Sequence, residues 1–147
     1  MDIIVKEMVK IYRTRDICWM GYQITRSNPL TYHHMEKACE GGKRTFENGA
    51  LLSYVGHSYL NIIEFKDFQL YTTLNEMFKI INQQQHAPTK EQYMIINACL
   101  KEFEKEHKKD RTSKGKILIK PEYYRRSIYD IDKEDGYNDD YSYVLKR

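Results

Sequence analysis

Residues 30–64 read LTYHHMEKACEGGKRTFENGALLSYVGHSYLNIIE, and this stretch decides how the chain is interpreted. It holds three of the five histidines, and two of them, His33 and His34, are adjacent. A Gly-Gly pair and an Asn-Gly pair, both turn signals, separate these two from the third histidine. His57 and Asn61 are four residues apart, so they would share one face of a helix. The order of these signals predicts a strand, a loop, a second strand and a helix.

Short apolar runs place the two strands at 30–34 and 50–54, and a helical pattern begins at Gly56. Adjacent residues of a strand point to opposite faces, so His33 and His34 cannot do the same work. We expect one of them to face a metal ion and the other to face a water molecule, because a neutral imidazole suits both tasks. A strand–loop–strand–helix unit would bring all three imidazoles together.

Two further helices are predicted to support this unit. Asp67 is a candidate N-cap for the first, and Thr89 with Gln92 forms a capping box at the start of the second. Residues 3–12 mix alternating and helical patterns, so strand and helix both stay open there. Residues 15–24 contain the only Trp and are expected to form a short strand or turn. The apolar stripes of the two helices are Leu70, Leu74, Met77, Phe78 and Ile81, then Tyr93, Ile96, Cys99, Leu100 and Phe103.

The composition predicts one domain with a distinct tail. The chain has 147 residues and a net charge of +3, but residues 130–147 carry six acids against three bases. We expect a single domain at 1–127 and a flexible, acidic, Tyr-rich tail at 128–147. The basic remainder is compatible with a nucleic-acid partner.

Three widely spaced cysteines argue against a disulfide framework. No apolar run approaches the roughly 18–20 residues that span a bilayer, so no membrane partner is expected. The N-terminus is interrupted by charges too often for a signal peptide, and a cytoplasmic location is therefore expected. The oligomeric state is left open.

The motifs in residues 30–64 together resemble the HNH nucleases, also called the His-Me finger or ββα-metal family, of phage or mobile-element type. The matching segments are Tyr32-His33-His34, Gly41-Gly42, Glu47-Asn48-Gly49-Ala50-Leu51-Leu52 and Gly56-His57-Ser58-Tyr59-Leu60-Asn61. The spacings agree as well, with 14 residues from His34 to Asn48, nine more to His57 and four more to Asn61. The resemblance implies an α+β fold in which a small ββα-metal finger at about 30–64 packs on a helical support at about 67–108.

The resemblance also implies a role for each polar residue. His33 is similar to the strand-borne metal ligand, and His34 to the general base that activates water. Asn48 resembles the loop asparagine that fixes the loop and orients the base. His57 resembles the helix metal ligand, and Asn61 takes the position of a further ligand that is often histidine. An amide in place of that histidine favours one divalent cation of the harder kind, Mg²⁺ or Mn²⁺ rather than Zn²⁺.

Two functions from different classes follow from this resemblance. The first is a metal-dependent endonuclease that hydrolyses DNA phosphodiester bonds, with Lys43 and Arg44 contacting phosphate. The alternative is a catalytically weakened phage protein that binds and inhibits a host defence nuclease, in the manner of an anti-CRISPR protein, with the acidic tail as a nucleic-acid mimic. A plainer interpretation of Lys43 and Arg44 as solvated loop charges, and of Asn48-Gly49 as a simple turn, stays open beside both.

Overall fold

The computed structural model describes residues 2–108, which contain four α-helices and one two-stranded antiparallel sheet. The predicted α+β class is confirmed. The boundary predicted at residue 127 and the acidic tail at 128–147 lie outside the described residues. In chain order the elements are α1 (Ile3–Tyr12), β1 (Leu30–His34), β2 (Gly49–Ser53), α2 (Tyr54–Lys66), α3 (Phe68–Gln84) and α4 (Lys90–Glu106), with a short 3₁₀ helix (Ala38–Glu40) between the strands.

The hairpin and α2 follow one another as the sequence predicts. β1 pairs with β2 in antiparallel register, which sets His33 opposite Ala50. β2 begins and ends one residue earlier than predicted, and α2 begins at Tyr54 rather than Gly56. The reason is Ser53, whose hydroxyl accepts a hydrogen bond from the Gly56 backbone N–H at 3.1 Å and so caps the helix. The strand therefore passes directly into the helix.

Residues 3–12, for which the sequence left strand and helix open, form α1. The Asp2 carboxylate caps it by accepting a hydrogen bond from the Ile4 backbone N–H at 2.9 Å. The apolar residues one helical turn apart face the core, which decides in favour of the helix. These buried residues are Val5, Met8, Val9 and Tyr12.

The segment between α1 and β1 folds into a turn, one of the two predicted possibilities. The Cys18 backbone N–H donates to the Tyr22 carbonyl at 2.9 Å. Gly21 between them has φ +92°, a left-handed conformation that favours glycine. The turn buries Trp19, whose indole N–H donates to the Thr14 hydroxyl at 2.9 Å.

The two supporting helices begin at their predicted caps. The Asp67 carboxylate accepts a hydrogen bond from the Leu70 backbone N–H at 3.1 Å, and Thr89 forms a reciprocal capping box with Gln92. α3 packs against α2 and β2, and α4 packs against α3. This arrangement lays one face of α3 alongside the β-hairpin, next to the histidines.

One hydrophobic core connects all six of these elements. Its largest fully buried side chains include Trp19, Tyr22, Phe78, Phe103 and Met8. Within residues 2–108, no helix combines the length and the apolar content that crossing a membrane requires.

Candidate active site

His33 lies on the face of β1 that packs against α3, and it is nearly inaccessible to solvent, at 4% exposure. Its Nε2 lies 2.8 Å from the side-chain oxygen Oδ1 of Asn75. The rings of Tyr71 and Phe78, also from α3, meet the imidazole edge to face at 6.3 and 6.2 Å between centroids. Burial lowers the pKa of His33 to about 4, and the hydrogen bond with Asn75 offsets only part of that effect. The imidazole is therefore neutral at pH 7.

His57 lies in the first turns of α2, with its ring centroid 5.2 Å from that of His33. Its Nδ1 is 3.0 Å from the hydroxyl of Thr31, and that hydroxyl donates to the Leu52 carbonyl at 2.8 Å. Burial lowers the pKa of His57, and the charge of His34 lowers it further. A second neutral imidazole is thus held beside the first.

His34 lies on the opposite face of β1 from His33, as the alternation of a strand predicts. It is half-buried and meets the Tyr32 ring edge to face, with 4.8 Å between centroids. Its charge lowers the pKa of both His33 and His57, so the three imidazoles lie within one local electrostatic environment. The structure thus brings the rings of His33 and His57 together, while His34 lies on the other face of the strand.

Asn48 joins the two ends of the loop between the strands. Its Oδ1 accepts from the Glu36 backbone N–H at 2.7 Å, and its Nδ2 donates to the carbonyls of Glu36 at 2.9 Å and Lys43 at 3.0 Å. The Asn48 carbonyl also accepts from the Met35 N–H at 2.9 Å, next to His34. These bonds hold the loop in one conformation directly after the histidine pair.

The remaining predicted site residues, Arg44, Lys43 and Asn61, are exposed to solvent. Arg44 forms an ion pair with Asp2 and lies over the Tyr32 ring, with 4.6 Å from its guanidinium carbon to the ring centroid. Lys43 is exposed on the loop, and Asn61 is exposed on α2 one turn after His57. Arg44 therefore links the loop to Asp2 and Tyr32, while the Lys43 side chain faces solvent.

A groove of about 770 Å³ separates this loop from α3. Asn48 and Asn75 line it, and so does Phe68, which is 65% exposed and stacks on Tyr71 with 5.8 Å between centroids. Its charged lining residues are Glu36, Glu40, Glu47 and Glu76 against Lys43 and Lys79. The groove thus carries more negative than positive charge.

The residues present are compatible with part of a metal site. In metal-binding histidines, one ring nitrogen is usually held by an outer hydrogen bond while the other binds the ion. His33 and His57 each have one nitrogen held in this way, by Asn75 and Thr31. No three His, Cys, Asp or Glu side chains are grouped for metal binding anywhere in residues 2–108. The pair would need an amide, a water or a phosphate oxygen to complete the coordination of a cation.

Asn75 and Thr31 are site residues that the sequence reasoning missed. A signal for Asn75 exists in the sequence, because Tyr71, Asn75, Phe78 and Asn82 follow one face of α3 at helical spacing. Amides that alternate with aromatic residues on a core-facing stripe indicate buried polar partners. Thr31 carries no comparable signal, since threonine is common in strands.

Comparison with known proteins gives no matching protein-family model, and no curated protein or solved structure matches the chain. Its function is therefore inferred from the geometry of its own side chains.

Proposed function

We propose that the chain is a metal-dependent endonuclease of the HNH type, which hydrolyses DNA phosphodiester bonds with a histidine-activated water. The observation that carries this proposal is the pairing of His33 with His57, whose ring centroids are 5.2 Å apart and whose pKa values are both lowered. A buried and a half-buried neutral imidazole from two different elements are unusual in a purely structural core. A ββα arrangement and an asparagine-anchored loop are what the HNH resemblance leads one to expect.

His33 and His57 would hold the cation, with Asn61 on the next turn of α2 as a further candidate ligand. When bound, the cation supplies positive charge that stabilises the leaving oxygen of a phosphodiester. Imidazole and amide ligands together favour Mn²⁺, with Mg²⁺ as the harder alternative.

His34 is proposed as the general base. An imidazole can take a proton from water near neutral pH when the water lies within hydrogen-bonding distance. His34 stands at the end of β1, where the loop anchored by Asn48 begins. That anchorage would keep the imidazole in one orientation while the substrate phosphate approaches.

A plasmid-nicking assay tests the proposal. We expect cleavage with Mn²⁺ or Mg²⁺ and none in EDTA. His34→Ala should reduce the cleavage rate about 10²–10⁴-fold, which is the usual contribution of a general base. His86→Ala is the matched control, because His86 is exposed on the loop between α3 and α4 and should leave the rate unchanged. Cleavage that persists in EDTA, or that His34→Ala does not alter, refutes this mechanism.

Inhibition of a host defence nuclease is the second candidate, and the charge of the groove favours it. Four glutamates line the groove that Asn75, the hydrogen-bond partner of His33, also lines, and such a surface would repel DNA phosphates. A carboxylate-rich surface can instead occupy the nucleic-acid channel of another protein. Inhibition of an RNA-guided DNA nuclease, lost on deletion of 128–147 and unaffected by His34→Ala, would support the inhibitor. Cleavage activity that depends on His34 would reject it.

A further inference from the structure

We propose that Asn75 and Thr31 are positioning residues, which fix opposite tautomers of His33 and His57. His33 would carry its proton on Nε2 and His57 on Nδ1, leaving His33 Nδ1 and His57 Nε2 as the two nitrogens with free lone pairs. The tautomers themselves do not depend on the proposed function. Only the inference that both lone pairs serve one cation rests on it.

Asn75 determines the tautomer of His33 because its contacting atom is a carbonyl oxygen, which can only accept a hydrogen bond. The 2.8 Å contact from His33 Nε2 to Asn75 Oδ1 therefore places the proton on Nε2. Tyr71 and Phe78 pack around the ring, and a hydrogen bond in such an apolar environment is strong. With the Asn75 amide in this orientation, the other tautomer would leave two lone pairs facing each other in a buried site.

Thr31 determines the tautomer of His57 by elimination. A hydroxyl has one proton, and that of Thr31 is donated to the Leu52 carbonyl at 2.8 Å. The contact of 3.0 Å between the Thr31 oxygen and His57 Nδ1 must therefore use the proton of Nδ1. The two hydrogen bonds of the Thr31 hydroxyl thus connect the backbone of β2 to His57 in the first turns of α2.

The hydrogen bonds to the two imidazoles come from different elements. Asn75 belongs to α3 and Thr31 to β1, so each histidine is oriented by an element other than its own. Outer hydrogen-bond partners fix both the ring orientation and the basicity of metal-binding histidines. The hydrogen bonds from Asn75 and Thr31 should therefore each contribute to cation affinity. Removing Asn75 should therefore free only the His33 ring, and removing Thr31 should free only the His57 ring.

Long-range ¹H–¹⁵N correlation spectra of the ¹⁵N-labelled full chain in EDTA test the tautomers directly, since each tautomer has its own pattern of nitrogen shifts. We expect the Nε2–H form for His33 and the Nδ1–H form for His57 in the wild-type protein, a result that needs no variant. Thr31→Val should give His57 a mixture of tautomers while His33 stays unchanged, and Thr31→Ser should restore the wild-type pattern. The same tautomer for both histidines, or a Thr31→Val spectrum identical to that of the wild type, would overturn the proposal.

Titration with Mn²⁺ alone separates this proposal from the proposed function. We expect Asn75→Leu and Thr31→Val each to weaken Mn²⁺ binding about 10- to 100-fold, as loss of an outer partner typically does. Thr31→Ser should bind as the wild type does. The expected tautomers without Mn²⁺ binding would refute the metal-dependent function and leave the positioning roles intact. Mn²⁺ binding that neither substitution weakens would overturn the positioning roles.

Discussion

Acid should destabilise this protein through His33, and the structure gives the size of the effect. The imidazole is 4% exposed, and burial holds its pKa at about 4, against an ordinary value of 6.5. In the unfolded chain the same side chain takes up a proton as the pH falls through about 6.5. In the folded chain it stays neutral until about pH 4. Between those values the unfolded state binds more protons, so the free energy of unfolding falls as the pH falls.

The magnitude follows from the gap between the two pKa values. A gap of about 2.5, at about 1.4 kcal/mol for each pKa unit, gives about 3 kcal/mol of stability lost between pH 7 and pH 4. The lowered pKa of His57 adds a loss in the same direction. Against a typical domain stability of about 5–15 kcal/mol, this is a large fraction.

Urea unfolding followed by the fluorescence of the buried Trp19 measures this loss, at several pH values between 7 and 4 and with EDTA present. His33→Gln is the matched variant, because glutamine does not titrate and its amide can still donate to Asn75. We expect the stability of the wild type to fall about 3 kcal/mol more than that of His33→Gln over this range. Carboxylates common to both proteins cancel in the difference. Parallel pH profiles for the two proteins would refute a buried, neutral His33.

Three further predictions concern the framework of the site. Asn82→Leu removes an amide that donates to two backbone carbonyls at 2.6 and 2.7 Å, so urea unfolding should show a loss of about 2–4 kcal/mol, whereas no loss would mean that these bonds are not formed in solution. Gly42→Ala would place a methyl group 1.8 Å from the Glu36 carbonyl oxygen, so amide hydrogen exchange in residues 36–48 should accelerate, while unchanged protection would contradict this packing. Thr89→Ala removes the α4 capping box and should cost about 1 kcal/mol in thermal unfolding, with an unchanged midpoint as the contrary result.

Local signals in the sequence are sufficient to predict the strands and helices around the site. The strand at 30–34 was predicted with its observed bounds, and the caps at Asp67 and Thr89 were predicted by residue type and spacing alone. Caps are local interactions between residues two or three positions apart, so a single sequence contains them completely. Residues 3–12 are ambiguous in the sequence because their short apolar pattern fits both the two-residue period of a strand and the 3.6-residue period of a helix. The core on one side of α1 decides between them.

The partners of the histidines could not be predicted in the same way. Asn75 lies 42 residues from His33, and their contact depends on how α3 packs against the hairpin. Likewise, the packing of α1 brings Asp2 beside Arg44, and the sequence alone gives no sign of the ion pair between them. Tertiary packing selects among partners that the sequence alone leaves equivalent.

The charge of the groove was also missed, for a related reason. Along the chain, Glu36, Glu40, Glu47 and Glu76 are interspersed with basic residues and give no acidic run. Only the approach of α3 to the loop gathers them at one surface. The conflict between this charge and a DNA substrate is what keeps the inhibitor as a second candidate.

The most direct test of the proposed site is where Mn²⁺ binds on the protein. Paramagnetic broadening of the imidazole signals in ¹⁵N-labelled protein reports which histidines lie beside the ion as Mn²⁺ is added. We predict that the signals of His33 and His57 disappear together at low Mn²⁺, while those of His86 and His107 stay sharp. Sharp signals for His33 and His57, with broadening first at the glutamates of the groove, would contradict the site on which the proposed function depends.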